Sequence, residues 1–274
     1  MQIGIIAGSG QFPIIFSKAA RNKGYSVFIT AIVGETDAAI ENYANAVEWV
    51  EIGQFERMIK FFNKNKVKEA VFLGAVNKTR IFKDVKPDMT AISIVSNLRH
   101  TNDDELLRAF AAALEKRGII IRASTFLLPE LLALEGCWTG RKPDPDEKSD
   151  IDLGFYIAKQ IGRLDIGQSV VISGGSVLAV EAIDGTDATL KRGGMLSRGK
   201  AVAVKVSKPD QDLRFDVPAI GVETVRVMHE AQITALGVEA GKTVVFDKNE
   251  MVALADKYGI SIVALSNERE TSEQ

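Results

Sequence analysis

The chain has 274 residues, 46% of them hydrophobic and 26% charged, enough to bury one large core or two medium ones, and two domains is the expected arrangement. Lys+Arg 34 against Asp+Glu 36 leaves a formal net charge of -2, so no overall basic field recommends nucleic acid as a partner. Two histidines, His100 and His229, and the single cysteine Cys137 exclude an intrachain disulfide framework and cysteine-rich zinc ligation, leaving oxygen ligands, hydroxyls and backbone amides as the expected chemistry.

The first run, Met1-Gln2-Ile3-Gly4-Ile5-Ile6, has no basic segment ahead of it and reads as a strand, not a signal peptide. No stretch reaches the roughly 20 apolar residues that span a bilayer, so a cytosolic protein is expected. Short apolar runs then alternate with helical patterns, as in a parallel sheet covered by helices. Strands are expected at 2–6, 26–32, 46–51, 70–73 and 119–122, apolar throughout as suits burial on both faces. Helices are expected at 54–65 and 103–117. In the second, Leu106, Phe110, Ala113 and Leu114 share one face, Asn102 caps with Glu105, and Gly118 terminates.

The texture changes at 136–149, where Pro143 and Pro145 stand in a polar stretch without periodic apolar spacing; this reads as a linker between domains at 1–135 and 150–274. A helix at 151–161 follows, then strands at 168–173, 176–183, 201–206 and 243–246. Helices at 222–234 and 249–258 and a last strand at 261–265 complete a second α/β unit, and the polar tail from Ser266 is expected to fray.

Several segments carry candidate chemistry. Gly8-Ser9-Gly10-Gln11-Phe12-Pro13 follows the first strand and opens a helix, whose free N–H groups and positive dipole end suit a phosphate. Pro13 stands where G-x-G-x-x-G has its third glycine, and no acid convincingly ends the second strand, which weakens a dinucleotide reading. A plain turn is the alternative. Gly174-Gly175 fits a tight hairpin. Glu181 falls in an apolar strand, and Thr186 or Asp187 either caps the next helix or, with the acid, marks a site at the end of a sheet. Asn77-Lys78-Thr79-Arg80 follows a strand and offers phosphate-binding cations or a solvated loop. His229 reads as a surface or packing residue and not a ligand, and Cys137 as a small buried or interfacial group.

The densest segment runs from Lys208-Pro209 through Gln211-Asp212-Leu213-Arg214-Phe215-Asp216 to Pro218 and Gly221. In an extended conformation Asp212, Arg214 and Asp216 project to one face. Paired acids there hold a hard divalent metal or activate water while Lys208 and Arg214 neutralise phosphate oxygens. The alternative is a solvated ion-pair strip.

Taken in order, these stretches resemble the UDP-2,3-diacylglucosamine pyrophosphatase family of the LpxI type, from lipid A biosynthesis. The likeness rests on Gly4-Ile5-Ile6-Ala7-Gly8-Ser9-Gly10 with Pro13, on Gly167-Gln168-Ser169-Val170-Val171, on Val177 through Ala188, on Lys208 through Gly221, and on Val238-Glu239-Ala240-Gly241. Ala219 after Pro218 and Ala231-Gln232-Ile233 depart from the family's pattern. The resemblance implies a Rossmann-like N-terminal domain and a second α/β domain with the ligand cleft between them. It implies Mg²⁺-assisted hydrolysis of UDP-2,3-diacylglucosamine to UMP and 2,3-diacylglucosamine 1-phosphate, lipid X. The family's essential acid falls on Asp216. On this basis Asp216 and Asp212 are the expected catalytic and metal-binding acids, and Gly8, Ser9, Gly10, Gln11, Lys78, Thr186, Asp187, Lys208, Gln211 and Arg214 the expected substrate contacts. A lipid-like substrate implies peripheral contact with the inner membrane from the cytoplasm, and a homodimer stays open. The alternatives are a nucleotide-sugar oxidoreductase or transferase using the Gly8 loop, or a non-catalytic nucleotide-lipid binding protein.

Overall fold

The computed structural model describes residues 1–76, 87–96, 103–197, 199–209, 211–215 and 217–266. They form two compact units. The first comprises Met1–Pro129 with Asp212–Asp216, and the second Glu130–Gln211 with Val217–Gln274. Each is α/β.

The first unit is built on a five-stranded sheet, β1 (Gln2–Ala7), β2 (Ser26–Ile32), β3 (Ala46–Val50), β4 (Glu69–Leu73) and β5 (Ile120–Ile121), in the order β3-β2-β1-β4-β5 with every neighbour parallel. Ile3, Ile5 and Ala7 on one face are fully buried and Ile6 on the other is 5% exposed, as a central strand covered on both faces requires. Around it lie α1 (Phe12–Asn22), α2 (Phe55–Lys64), α3 (Met89–Ser96) and α4 (Asp103–Glu115). Helix α1 buries Pro13, Phe16, Ser17 and Ala20, and α2 buries Phe55, Ile59 and Phe62, the one-face spacing of helices laid on a sheet. Because the chain leaves β1 for β2 on one side and returns to β4 on the other, the strand order reverses at β1/β4, the place where open parallel sheets carry their ligands.

The second unit holds a six-stranded mixed sheet of β6 (Gly136–Cys137), β7 (Ser169–Ser173), β8 (Ser176–Val180), β9 (Val202–Lys205), β11 (Ala235–Glu239) and β13 (Ser261–Leu265), ordered β6-β13-β11-β9-β7-β8. A small parallel pair, β10 (Ala219–Ile220) and β12 (Val244–Val245), lies apart from it. Strands β9, β11 and β13 are parallel; β7 and β6 run against them, and β8, antiparallel to β7, runs with them again. Alternation along β7 sends Val170 and Ile172 into one core and Val171 into the other. Helix α5 (Pro145–Arg163) packs on the first of these faces, while α6 (Gly185–Leu196), α7 (Val222–Glu230) and α8 (Lys248–Tyr258) complete the unit. A Cβ on Gly154 of α5 would stand 2.5 Å from Val204 Cγ2, so the helix reaches the sheet closely only as glycine.

The structure departs from the sequence-based expectation at several elements, α3 and β10 among them having no counterpart in it. Helix α5 starts six residues before Ile151, because Asp144 accepts from the Glu147 amide and Glu147 returns the bond, a reciprocal cap. The residues read as 136–149 linker thus contain β6 and the first turn of α5. The helix expected at 222–234 ends at Glu230, with Gln232 at φ 57, and the central strand β11 follows unanticipated. Strand β8 stops at Val180, short of the expected Ile183. Asn102, His100 and residues 267–274 lie outside the described residues.

Candidate functional site

At the switch point of the first sheet, the loops after β1 and β4 run side by side. Gly8 N–H donates to Leu73 O at 2.8 Å and Ser9 N–H to Ala75 O at 2.7 Å, and Ser9 Oγ donates to the same carbonyl at 2.9 Å. A Cβ on Gly8 would sit 2.3 Å from Ala75 O, and one on Gly74 2.3 Å from Ser9 O. Gly10, at φ +90, turns the chain into α1, and Gln11 is the cap residue without a side-chain capping bond. The loop therefore lays backbone at a helix start beside a sheet's carboxyl end, the arrangement that receives phosphate.

The segment from Asp212, which belongs to this unit, is a turn over its described residues 212–215 and not the extended strip expected. Residues 213–215 are turn, and Phe215 N–H donates to Asp212 O at 3.0 Å. The cause is local. Asp212 Oδ1 accepts the Arg214 amide at 3.1 Å, and the Arg214 guanidinium folds back on the same carboxylate with Nε–Oδ1 3.0 Å and Nη2–Oδ2 2.8 Å. Asp212 and Arg214 are thus paired with each other, not displayed in parallel. Arg214 Nη1 also donates to Glu115 Oε1 at 3.0 Å, Arg108 Nε stands 3.9 Å from Asp212 Oδ2, and Phe215 packs edge-on against Phe72 with centroids 5.4 Å apart. The Arg214 hydrogen bonds hold the Asp212 carboxyl below the usual carboxylate range, against the opposing effect of burial. Asp216, the expected essential acid, and Lys78 lie outside the described residues.

In the second unit, several polar residues gather at one edge of the mixed sheet. Strands β9, β11 and β13 end there, at Lys205, Glu239 and Leu265. Antiparallel β7 begins there, with Ser169 opposite Lys205, and β8 ends beside it. Glu181, 8% exposed, lies just past β8. Thr186 Oγ1 donates to Glu181 Oε1 at 2.9 Å and accepts from Lys205 Nζ at 3.1 Å, and Lys205 also reaches Ala219 O at 3.2 Å. Gln168 Oε1 and Ser169 Oγ are buried without a hydrogen-bond partner among the described residues. Neither Thr186 nor Asp187 caps α6, since the helix begins earlier, at Gly185, with Asp184 as cap residue. Asp187 stands exposed in the first turn. Lys205 went unnoticed in the sequence as the polar end of an apolar run.

The same edge carries Lys208 and Gln211. Gln211 Oε1 accepts from Lys208 N–H and from Ser207 Oγ, both at 2.9 Å, and Lys208 Nζ pairs with Asp165. Beneath them Lys159 and Glu239 form an ion pair with side-chain exposures of 5% and 0%, 80 residues apart in sequence and beyond any motif reading. Elsewhere, His229 stacks on Tyr258 with centroids 3.7 Å apart, as a packing residue should. Cys137 is exposed on the edge strand β6, which corrects the buried half of the expectation of a buried or interfacial group. Among the described residues no three His, Cys, Asp or Glu side chains group as a metal site. What Asp212 offers a hard divalent cation is the fitting donor chemistry, an ionised carboxylate.

Comparison with known proteins agrees with a chain of two domains in series. Residues 2–131 match the LpxI N-terminal domain and residues 134–263 the LpxI C-terminal domain. The UDP-2,3-diacylglucosamine pyrophosphatase LpxI of Caulobacter vibrioides is 32% identical over 275 residues, covering 96% of this chain and 97% of its own. Among solved structures, the biotin carboxylase domain of Hydrogenobacter thermophilus 2-oxoglutarate carboxylase aligns at 12% identity and a TM-score of 0.27, over 64% of this chain and 35% of that one. N5-carboxyaminoimidazole ribonucleotide synthetase from Thermotoga maritima aligns at 14% and 0.24, over 67% and 41%. Likeness that weak carries no argument about fold or function. The near full-length identity to one relative does, and with two domain matches in series it shows that this chain belongs to the LpxI family.

Proposed function

We propose that this chain hydrolyses the pyrophosphate bond of UDP-2,3-diacylglucosamine, releasing UMP and 2,3-diacylglucosamine 1-phosphate in lipid A biosynthesis. The observation that carries the reading is the 32% identity, across nearly the whole of both chains, to a relative bearing that activity in its name. The chemistry suits the residues, since phosphoryl transfer asks for positioned oxygens and neutralised charge more than for a covalent nucleophile. Gly10 and Gln11 offer backbone amides to the nucleotide and pyrophosphate, Gly8 and Ser9, whose own amides are bonded to Leu73 O and Ala75 O, bring the loop backbone against them, and Lys78 serves as a cation. Thr186, Asp187, Lys208 and Gln211 contact substrate, and Lys205 joins them through its bond to Thr186. Arg214 faces the non-bridging oxygens with its charge, oriented by Asp212. Asp216 orients the attacking water. With Asp212 it supplies the carboxylate oxygens for Mg²⁺, which when bound neutralises phosphate charge. Water adds to one phosphorus, the bridging P–O bond breaks, and the departing phosphate keeps the electron pair.

The test is release of UMP from UDP-2,3-diacylglucosamine with and without Mg²⁺. Asp216→Ala should slow turnover by about two orders of magnitude or more and leave the circular dichroism unchanged; a fully active variant overturns the assignment. The closed Asp212–Arg214 pair also suits a non-catalytic nucleotide-lipid binding protein, and absence of any UMP would favour that reading. A lipid substrate further requires peripheral contact with a membrane. No helix among the described residues is long and apolar enough to cross one, and co-sedimentation with vesicles checks the contact.

A further inference from the structure

We infer that the buried Lys159–Glu239 pair is a positioning element for the substrate-contacting turn 207–211, a role that rests on the hydrolase reading above. Lys159 Nζ donates to Glu239 Oε1 at 2.9 Å, to Glu239 Oε2 at 2.7 Å and to the Ser207 carbonyl at 2.8 Å. Glu239 Oε2 in turn accepts the Ser207 amide at 2.9 Å. Both backbone groups of one buried residue, Ser207, 1% exposed, are therefore satisfied by the two charges. Lys242 Nζ, half-exposed, adds a contact to Glu239 Oε1 at 3.0 Å.

From Ser207 the order passes outward. Its hydroxyl and the Lys208 amide both bond Gln211 Oε1, and the Gln211 amide closes the turn on Lys208 O at 3.1 Å. Helix α5 supplies a second support three residues beyond Lys159. A Cβ on Gly162 would stand 3.2 Å from Pro209 Cδ and 3.3 Å from Lys208 Cα, so the turn rests directly on helix backbone there, and positions three apart share a helix face.

Stability alone does not account for the pair. Moving an ammonium and a carboxylate out of water is costly, and well-packed apolar replacements of such pairs are often neutral or stabilising. What apolar residues do not replace is the bonding of the Ser207 N–H and C=O, which would be left buried and unpaired. The arrangement trades desolvation for one fixed conformation of the backbone that carries Lys208 and Gln211.

The experiment uses the full chain and three variants: Lys159→Met with Glu239→Leu, Glu239→Gln alone, and Gly162→Ala. The double variant should keep its melting temperature within a few degrees. Amide exchange at 207–211 should rise at least about tenfold, and kcat/KM for UMP release should fall about a hundredfold, the scale of a misplacement near 1 Å. Glu239→Gln, which retains an acceptor for the Ser207 amide but leaves the Lys159 ammonium buried without its counter-charge, should melt lower than wild type yet, where folded, keep most of the kcat/KM that the double variant loses. Gly162→Ala should melt no lower than wild type, since alanine favours the helix, yet lose activity about tenfold as the turn is displaced. A double variant with wild-type exchange at 207–211, or Gly162→Ala with wild-type kcat/KM, overturns the inference. Should the double variant fail to fold, the other two decide. A wild type that releases no UMP overturns the hydrolase reading instead, and the exchange measurement still judges whether the pair seats the turn.

Discussion

Gly8 and Gly74 are each hemmed in by the backbone of the other's loop. Neither neighbour is a flexible side chain able to move aside: the obstacles are the carbonyls of Ala75 and Ser9, each 2.3 Å from where a Cβ would be. Gly74 also sits at φ +84, where an L side chain is strained. Alanine at either position should destabilise the first unit by about 1–3 kcal/mol, read as a lower denaturant midpoint in Trp49 fluorescence. An unchanged midpoint would mean the two loops do not hold each other. At this scale, sequence reading succeeds where the signal is local. The glycines after β1 are adjacent in the chain, and their conformation was legible as a turn at a helix start. Asp212 and Arg214 are equally close, yet alternation misled, because an aspartate able to accept the amide two residues on bends its own backbone into a turn. Lys159 and Glu239 carry no local sign at all; only the packing of α5 on β11 unites them.

Among the elements, α5 shows how a cap becomes part of a core. Glu147, its side chain 4% exposed, receives two bonds from Arg141 Nη2 at 2.7 and 2.8 Å, another from Thr234 Oγ1 at 2.6 Å, and the Asp144 amide at 2.9 Å. Burial pushes the Glu147 carboxyl up, but the hydrogen bonds from Arg141, Thr234 and the Asp144 amide outweigh it, so its pKa lies below the ordinary 4.5. A carboxyl lowered by folding stabilises the native state fully above its unfolded value and loses that contribution as pH falls through the folded one. Acid should therefore begin to weaken the second unit below about pH 4.5. Glu147→Gln should cost about 2–3 kcal/mol at neutral pH and flatten that acid limb. A variant whose stability follows pH as steeply as wild type there would show that another carboxylate governs it. The start of this helix was partly legible: Pro145 and the acids after it suit a first turn, but without periodic apolar residues before Ile151 the stretch resembled a linker. Strand β11 was hidden for the opposite reason, since its five residues follow a helix pattern directly and carry Gly237 in their middle.

For the whole molecule, the division into units does not follow the division of the chain. Residues 212–216 are enclosed by sequence assigned to the second unit and yet belong to the first. There Leu213 O accepts the Ser124 amide at 3.3 Å, Arg214 meets Glu115, 99 residues away in sequence, and Phe215 joins the cluster around Phe55, Phe62 and Leu114. A linear reading with one boundary at 136–149 had no means of finding this, because the turn has too few apolar residues to announce an independent element. The consequence is thermodynamic and separable, since the two tryptophans, Trp49 and Trp138, fall one in each unit. Phe215→Ala removes a half-buried ring from the edge of Phe72 and, discounted for its partial exposure, should cost about 2 kcal/mol. With Trp138 replaced by Phe so that Trp49 alone reports, its unfolding midpoint should fall by that amount, even though residue 215 is flanked on both sides by chain of the second unit. A midpoint for Trp49 that ignores Phe215→Ala would return the turn to the second unit, and Arg214 with it, leaving the guanidinium without the Glu115 anchor that fixes where its charge is presented.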